Sequence, residues 1–154
     1  MRNKELVEKL IEKKYKISCA ESCTGGLLAS SIVDVPAASM VMDMSFVTYA
    51  NEAKIKLVEV QPNTIETYGV VSEAVALEMA KGAAHQAQAE VGVGISGIAG
   101  PTGATPTKPI GMVCFGFYIQ GTQYSQTKQF GAIGRTEVRE ASVNFVIEFL
   151  LQHL

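Results

Sequence analysis

The sequence predicts a three-layer α/β/α sandwich built on a mixed, mostly parallel sheet of about five strands. Apolar runs of strand length alternate with helical patterns along most of the chain, and a strand–turn–strand pattern appears only late, across Gln120-Gly121. Alternation is typical of parallel strands with helices on both faces, whereas the late hairpin adds antiparallel pairing. Because 154 residues make one ordinary domain, we expect a single domain over residues 1–154.

The first half of the chain predicts short strands and mostly short helices. Asn3 is a residue type that caps helices, and the apolar residues after it recur at helical spacing. A later helical pattern stops before Pro36, which cannot continue it. β-Branched and aromatic residues favour a strand in the segment that leads to Tyr49. The predicted strands are 15–20 and 40–49, and the predicted helices begin near Asn3, Leu27, Asn51 and Pro62. Asn51, like Asn3, is placed to cap its helix.

The second half predicts a long helix, three strands and a terminal helix. Ser72 is placed to cap an alanine-rich helix that runs to about Gln88. Residues 97–109 hold three glycines and three prolines, so they cannot form regular structure. The predicted strands are 91–96, 111–119 and 122–130, and the last helix is 136–154.

Composition excludes several classes of protein. The 13 basic and 15 acidic side chains give a net charge of −2, which argues against a nucleic-acid or anionic-membrane partner. No apolar run approaches the roughly 20 residues of a membrane-spanning helix, and no signal peptide is evident, so we expect a cytoplasmic protein. With two histidines, three cysteines and no Cys-x-x-Cys pair, we expect neither a zinc site nor a disulfide framework. We also expect no cofactor.

The turn Glu21-Ser22-Cys23-Thr24-Gly25-Gly26 is the first candidate site, because it joins the end of a strand to the start of a helix. Ligands bind at this edge of open α/β sheets, and free backbone N–H groups there favour a phosphate or a developing oxyanion. Two alternatives stay open. The turn could be structural, with Thr24 as an ordinary N-cap, and Cys23 could be either a nucleophile or a buried structural cysteine.

Three further segments could contribute to a site. The glycine-rich stretch 94–103 resembles a phosphate-cradling loop, although the P-loop pattern Gly-x-x-x-x-Gly-Lys-Ser/Thr is absent. Lys54 follows a predicted strand end, and a nucleophile needs a base in a chain with so few histidines. Arg135 and Arg139 share one helix face and could clamp a phosphate or carboxylate, although exposed arginines without a ligand are commoner.

Five motifs in order resemble the signatures of the CinA C-terminal domain family, which includes nicotinamide mononucleotide deamidases. The resemblance covers essentially the whole chain. The sequence is similar to the stand-alone form of the family, which lacks the N-terminal domain of full-length CinA proteins. The motifs are Ala20-Glu21-Ser22-Cys23-Thr24-Gly25-Gly26, Val47-Thr48-Tyr49-Ala50-Asn51-Glu52-Ala53-Lys54, Gly69-Val70-Val71-Ser72-Glu73, Ser96-Gly97-Ile98-Ala99-Gly100-Pro101 and Lys108-Pro109-Ile110-Gly111.

The resemblance implies an amidohydrolase that converts nicotinamide mononucleotide (NMN) to nicotinate mononucleotide and ammonia. It also implies a homodimer with no metal. In this sequence the family's catalytic serine and lysine correspond to Ser22 and Lys54, assisted by Tyr49. The residues expected to bind the substrate are Glu21, Thr24, Gly25, Gly26, Asn51, Ser96, Gly97, Gly100, Arg135 and Arg139.

The sequence departs from the family pattern at three places, and this keeps a second hypothesis open. Ser45 stands where glycine is usual, Thr102 and Ala104 replace an aspartate and a glycine, and Gly134 replaces an aspartate. The presumed catalytic residues are intact, but two loop acids are lost. The alternative is therefore a weak or inactive paralogue that binds a mononucleotide or phosphate without releasing ammonia.

Overall fold

The computed structural model describes residues 1–154, which form six α-helices, one short 3-10 helix and five strands. The strands are β1 (Ile17–Glu21), β2 (Phe46–Val47), β3 (Val91–Gly97), β4 (Met112–Ile119) and β5 (Thr122–Gln129). The helices are α1 (Asn3–Lys13), α2 (Leu27–Val33), α3 (Asn51–Val58), α4 (Pro62–Tyr68), α5 (Glu73–Ala87) and α6 (Arg135–His153), and the 3-10 helix is Ala38–Met40.

The five strands form one mixed sheet in the order β2-β1-β3-β4-β5. Strand β1 pairs in parallel with β2 and β3, whereas β4 is antiparallel to both β3 and β5. Four strands therefore run in one direction and only β4 runs in the other. This confirms the predicted fold class.

Helices cover both faces of the sheet and complete the three layers. Helices α1, α2 and α6 cover one face, where alternate residues of β1, β3 and β4 join the main apolar core. The opposite face is covered by α5, with α3 and α4 packed beside it. Alternating burial is expected because successive side chains of a strand point to opposite faces.

Glycines on β3 and β4 let α5 approach the sheet closely. A Cβ atom on Gly92, Gly94 or Gly116 would overlap backbone atoms of α5 at Ala80 or Ala76. On the helix side the contact is made by alanines and Met79, all buried. Such close packing fixes the position of α5. Ser72 caps this helix as predicted, since its Oγ accepts a hydrogen bond from the Val75 N–H at 3.2 Å.

The predicted strand 40–49 is wrong over most of its length. Residues 38–40 form a 3-10 helix, and only Phe46 and Val47 pair with β1. Ser45 explains the late start, because its Oγ accepts a hydrogen bond from the Cys19 N–H of β1 at 3.0 Å. A side chain thus takes the place of a strand-to-strand bond.

Two predicted helix caps are also wrong. Asn3 is the first residue of α1, and its Nδ2 donates to the Ser31 carbonyl at 2.7 Å. Asn51 is the first residue of α3, and Ala50 is its N-cap.

None of the helices combines the length and the apolar character that crossing a membrane requires.

Candidate functional site

Parallel pairing gathers the candidate residues at one edge of the sheet. The carboxyl ends of β1, β2 and β3 point the same way, so the segments that follow them meet there. Strand β5 also ends at this edge, and α6 begins shortly after it. Segments that are far apart in sequence thereby surround one cavity.

Lys54 and Ser22 are in hydrogen-bonding contact at this edge. The distance from Lys54 Nζ to Ser22 Oγ is 3.1 Å, although the two residues are 32 positions apart. The ammonium nitrogen also lies 2.7 Å from the Thr48 carbonyl and 3.3 Å from the Tyr49 carbonyl, to both of which it donates. The side chain is only 1% exposed, although it belongs to a surface helix. The structure therefore brings the predicted dyad together.

Burial lowers the pKa of Lys54 below its ordinary value of 10.5, and the neighbouring Cys23 opposes this change. No carboxylate forms a salt bridge with the amine; its polar partners are two carbonyls and a hydroxyl. In the neutral form, two N–H bonds satisfy the carbonyls and the lone pair accepts the Ser22 hydroxyl proton. This is the arrangement that a general base requires.

The turn after Ser22 presents free backbone donors. The N–H of Gly25 donates to the Ser22 carbonyl at 3.0 Å, whereas the N–H groups of Cys23, Thr24 and Gly26 donate to no other residue. Gly25 and Gly26 have φ values of +58° and +99°, a region that glycine enters without strain. Free donors next to a nucleophile can stabilise an oxyanion.

Glu21 supports this turn from below. Its carboxylate is fully buried and accepts hydrogen bonds from the N–H groups of Leu28 and Ala29, each at 2.9 Å. Helix α2 has no side-chain cap at its own N-cap, Gly26, so the buried Glu21 takes over that task. Thr24, the alternative cap, has a buried hydroxyl with no hydrogen bond.

Arg135 connects two walls of the cavity. Its Nη1 donates to the Gly100 carbonyl at 2.8 Å, and its Nη2 donates to the Tyr49 hydroxyl at 3.2 Å. Tyr49 thus contacts Lys54 through its backbone carbonyl, while its hydroxyl contacts Arg135. Both side chains border the cavity, where a substrate could reach them.

Arg139, one turn further along α6, faces the turn rather than the cavity. Its Nε donates to the Cys23 carbonyl at 3.1 Å and its Nη2 donates to the Thr24 carbonyl at 2.8 Å. The two arginines, predicted to act together, therefore have different partners.

The cavity has a volume of about 290 Å³ and contains both polar and apolar groups. The segment after β3 forms one wall. The N–H groups of Ala99, Thr102 and Gly103 in this wall donate no hydrogen bonds within the protein, so they could bind an anion. The lining residues are Ser22, Cys23, Tyr49, Val71, Gly97, Ile98, Ala99, Thr102, Gly103 and Arg135.

Some residues predicted to bind the substrate do not line the cavity. Asn51 is exposed at the start of α3. Ser96 is buried, and its Oγ donates to the Val70 carbonyl at 2.8 Å. The Gly100 carbonyl is held by Arg135, and Gly25 lies opposite the Arg139 guanidinium. Ser96 and Gly100 therefore hold neighbouring segments of the site by hydrogen bonds.

Several residues of the site were not predicted. Thr48 supplies the shortest contact to Lys54 through its carbonyl, which residue identity cannot reveal. Val71 and Ile98 form apolar parts of the wall, and both belong to motifs that the sequence singled out. Lys108 fastens the wall, since its Nζ donates to the carbonyls of Tyr68 and Val71 at 2.8 and 2.6 Å.

Cys23 lies beside Ser22, but its thiol is poorly suited to attack. Burial raises its pKa to about 11, an effect larger than the opposing influence of Arg139 and Lys54. The side chain is 7% exposed and packs in the main core. Burial and the raised pKa favour a structural cysteine, one of the two possibilities that the sequence left open.

At Gly134, where the family pattern has an aspartate, the Glu137 carboxylate occupies the space that a side chain would need. A Cβ atom on Gly134 would overlap the Glu137 carboxylate. No group of three or more His, Cys, Asp or Glu side chains is placed to hold a metal ion.

Comparison with known proteins identifies the family of this chain. A sequence model described as the CinA C-terminal domain matches residues 2–154. A CinA-like protein of Kosmotoga olearia is 43% identical over 151 residues, covering 97% of this chain and 36% of that protein. A CinA-like protein of Desulforapulum autotrophicum is 50% identical over 122 residues, covering 79% of this chain and 28% of that protein. The chain thus spans about a third of the length of these relatives.

Two solved structures share the whole fold. The competence/damage inducible protein CihA of Agrobacterium tumefaciens has a TM-score of 0.92 and 38% identity, covering 99% of this chain and 95% of its own. A CinA superfamily protein of Escherichia coli has a TM-score of 0.95 and 37% identity, covering 99% of this chain and 88% of its own. Sequence and structure therefore agree that this chain belongs to the CinA C-terminal domain family.

Proposed function

We propose that the protein is an amidohydrolase that removes ammonia from the carboxamide of NMN and leaves nicotinate mononucleotide. The observation that carries the proposal is the contact of 3.1 Å between Ser22 Oγ and the buried Lys54 Nζ. A serine hydroxyl needs a base to become nucleophilic, and burial lowers the pKa of this lysine toward the range of a base.

In the proposed acylation step, Ser22 Oγ attacks the carboxamide carbon while its proton passes to Lys54 Nζ. The carbonyl oxygen becomes an oxyanion, which the free N–H groups of Cys23 and Thr24 are placed to stabilise. The Lys54 ammonium then donates its proton to the leaving nitrogen as the C–N bond breaks. Ammonia departs, and an ester to Ser22 remains.

In the proposed deacylation step, water attacks the ester carbon and gives its proton to Lys54. The ester C–O bond breaks, Ser22 recovers its hydroxyl proton from Lys54, and the acid is released. Tyr49 contributes its carbonyl, which accepts a hydrogen bond from Lys54 at 3.3 Å, rather than a proton relay through its hydroxyl.

Substrate binding is assigned to the opposite wall. The free N–H groups of Ala99, Thr102 and Gly103 and the guanidinium of Arg135 offer donors to a phosphate. The side chains of Val71 and Ile98 offer an apolar surface to the pyridine ring. A cavity with such mixed walls suits a mononucleotide.

The test is an ammonia-release assay with NMN, nicotinamide riboside and nicotinamide in parallel. We expect release from NMN above all, and a loss of about 10³-fold or more in Ser22→Ala and Lys54→Met. Lys56→Met is the matched control, because Lys56 lies on the same helix but is exposed. Retained activity in either dyad variant would refute the mechanism. Binding of NMN without ammonia release by the wild type would instead support the binding-domain alternative.

The homodimer and the cytoplasmic location also remain predictions. Sedimentation of the purified protein tests the first, and cell fractionation tests the second.

A further inference from the structure

Arg139 has a position that phosphate binding does not explain. Its guanidinium does not line the cavity, and two of its nitrogens donate to successive backbone carbonyls. Nε donates to the Cys23 carbonyl at 3.1 Å and Nη2 to the Thr24 carbonyl at 2.8 Å. A planar guanidinium holds two acceptors in fixed directions, so it fixes both carbonyls of the nucleophile turn.

These contacts also determine where the neighbouring N–H groups point. In a trans peptide group the carbonyl and the N–H point in opposite directions. Because the Cys23 carbonyl faces Arg139, the Thr24 N–H of the same peptide group points away from Arg139. That N–H has no partner in the protein, as expected of a donor reserved for a ligand.

The charge of Arg139 adds to this orientation. A hydrogen bond from a cation to the carbonyl polarises the peptide group and strengthens its N–H as a donor. The guanidinium lies at the carbonyl end of the peptide group. It therefore reinforces the peptide dipole, whose positive N–H end would stabilise the oxyanion. Both effects act on the peptide group that joins Cys23 and Thr24, the second peptide group after the nucleophile Ser22.

We propose that Arg139 is a positioning residue, which orients and polarises the peptide group between Cys23 and Thr24 as an oxyanion donor for Ser22. The inference rests on the proposed amidase function. It separates the tasks of the two arginines at the start of α6. Arg135 faces the cavity and belongs to substrate binding, whereas Arg139 acts through the backbone and touches no substrate.

This separation predicts different kinetic signatures for the two arginines. We expect Arg139→Met to lower kcat for NMN by about 10- to 100-fold with KM within about threefold, less than the loss of a whole oxyanion donor. Arg135→Met is expected mainly to raise KM. Arg139→Lys keeps the charge but loses the fork, so it should retain an intermediate kcat. Glu140→Gln, the exposed neighbour on α6, is the control and should match the wild type.

Far-UV circular dichroism and thermal melts identify any variant that fails to fold. Chemical rescue supplies a readout that a structural role would not move, because methylguanidine should restore part of the kcat of a folded Arg139→Ala variant. If the Arg139→Met variant does not fold, Arg139→Lys and the rescue experiment decide.

The inference is overturned if Arg139→Met or Arg139→Lys keeps the wild-type kcat, or if their KM rises while kcat is retained. Absence of rescue in folded Arg139→Ala would also overturn it. Failure of the proposed function is a separate result, because it appears as absence of ammonia release by the wild-type protein.

Discussion

At the scale of single residues, the proposed mechanism makes the charge state of Lys54 decide whether Ser22 can attack. Only the neutral amine has a lone pair that can accept the hydroxyl proton. Burial lowers the pKa of Lys54 and so raises the fraction of the amine that is neutral. An unburied lysine would be almost entirely protonated near neutral pH and could not act as the base.

A pH profile tests this role directly. We expect kcat for NMN to rise with pH and to level off above the pKa of Lys54, at a lower pH than a free lysine would give. Below that pKa the rate should fall about tenfold per pH unit, because the protonated amine cannot accept the serine proton. This dependence of kcat on pH is measured by steady-state rates at saturating NMN between about pH 5 and pH 10. A rate that is flat, or that falls as pH rises through this range, would contradict a lysine base.

Cys23 gives the complementary prediction. With a pKa of about 11, its thiolate fraction at pH 7 is on the order of 10⁻⁴. We therefore expect Cys23→Ala to keep kcat within about threefold and iodoacetamide to leave the wild type active. Ammonia release after overnight treatment with the reagent measures it. A loss of about 10²-fold in a folded Cys23→Ala variant would instead indicate that Cys23 is the nucleophile.

At the scale of elements, the junction between β1 and α2 depends on one buried carboxylate. Glu21 accepts the N–H groups of Leu28 and Ala29, whose helix lacks a side-chain cap of its own. The turn between Glu21 and this helix carries Ser22, the proposed nucleophile, and passes through Gly25 and Gly26, both with positive φ. The same side chain thus supports both the helix start and the site.

Substitution of Glu21 should cost stability as well as activity. We expect Glu21→Ala to lower the free energy of unfolding by about 2–4 kcal/mol, because one buried and one partly buried N–H group lose their acceptor. Glu21→Gln keeps one acceptor oxygen and should cost less. Urea unfolding measures both, and Glu12→Gln on the exposed side of α1 should stay within about 0.5 kcal/mol of the wild type. Wild-type stability in Glu21→Ala would show that the cap contributes little.

The elements also show what sequence patterns could predict. Helix α5 begins at Glu73 after its predicted cap because Ser72, Val75 and the alanines give consistent local signals. The segment 40–49 had strand-forming residues, but pairing depends on what the neighbouring strand offers. There the Cys19 N–H already has the Ser45 hydroxyl as its acceptor. The sequence of one segment cannot show that a side chain will compete with the hydrogen bonds between two strands.

At the scale of the whole molecule, alternation of strands and helices was enough to predict the fold class. It also predicted which edge of the sheet would hold Ser22 and the glycine-rich wall, because parallel strands end together. The separate tasks of Arg135 and Arg139 could not be predicted. They depend on how α6 lies against the turn, which is set by packing between residues that are far apart in sequence.

The packing of α5 likewise belongs to the whole fold. Gly92, Gly94 and Gly116 come from two strands, and only sheet pairing places them beneath the same helix. Each glycine alone would suggest a weak strand. Together they bring α5 close to the sheet. This also fixes the position of Val71, which lies just before α5 and lines the cavity.

Arg139 and the turn that it contacts are far apart in sequence, so the parts of the site are synthesised at different times. Arg139 contacts a carbonyl 116 residues earlier in the chain, so the turn with its nucleophile and base is synthesised long before its clamp. During translation, a growing chain can carry Ser22 and Lys54 while α6 is still being made. Full amidase activity would then require that the domain has been translated through its last helix and that this helix has docked on the turn.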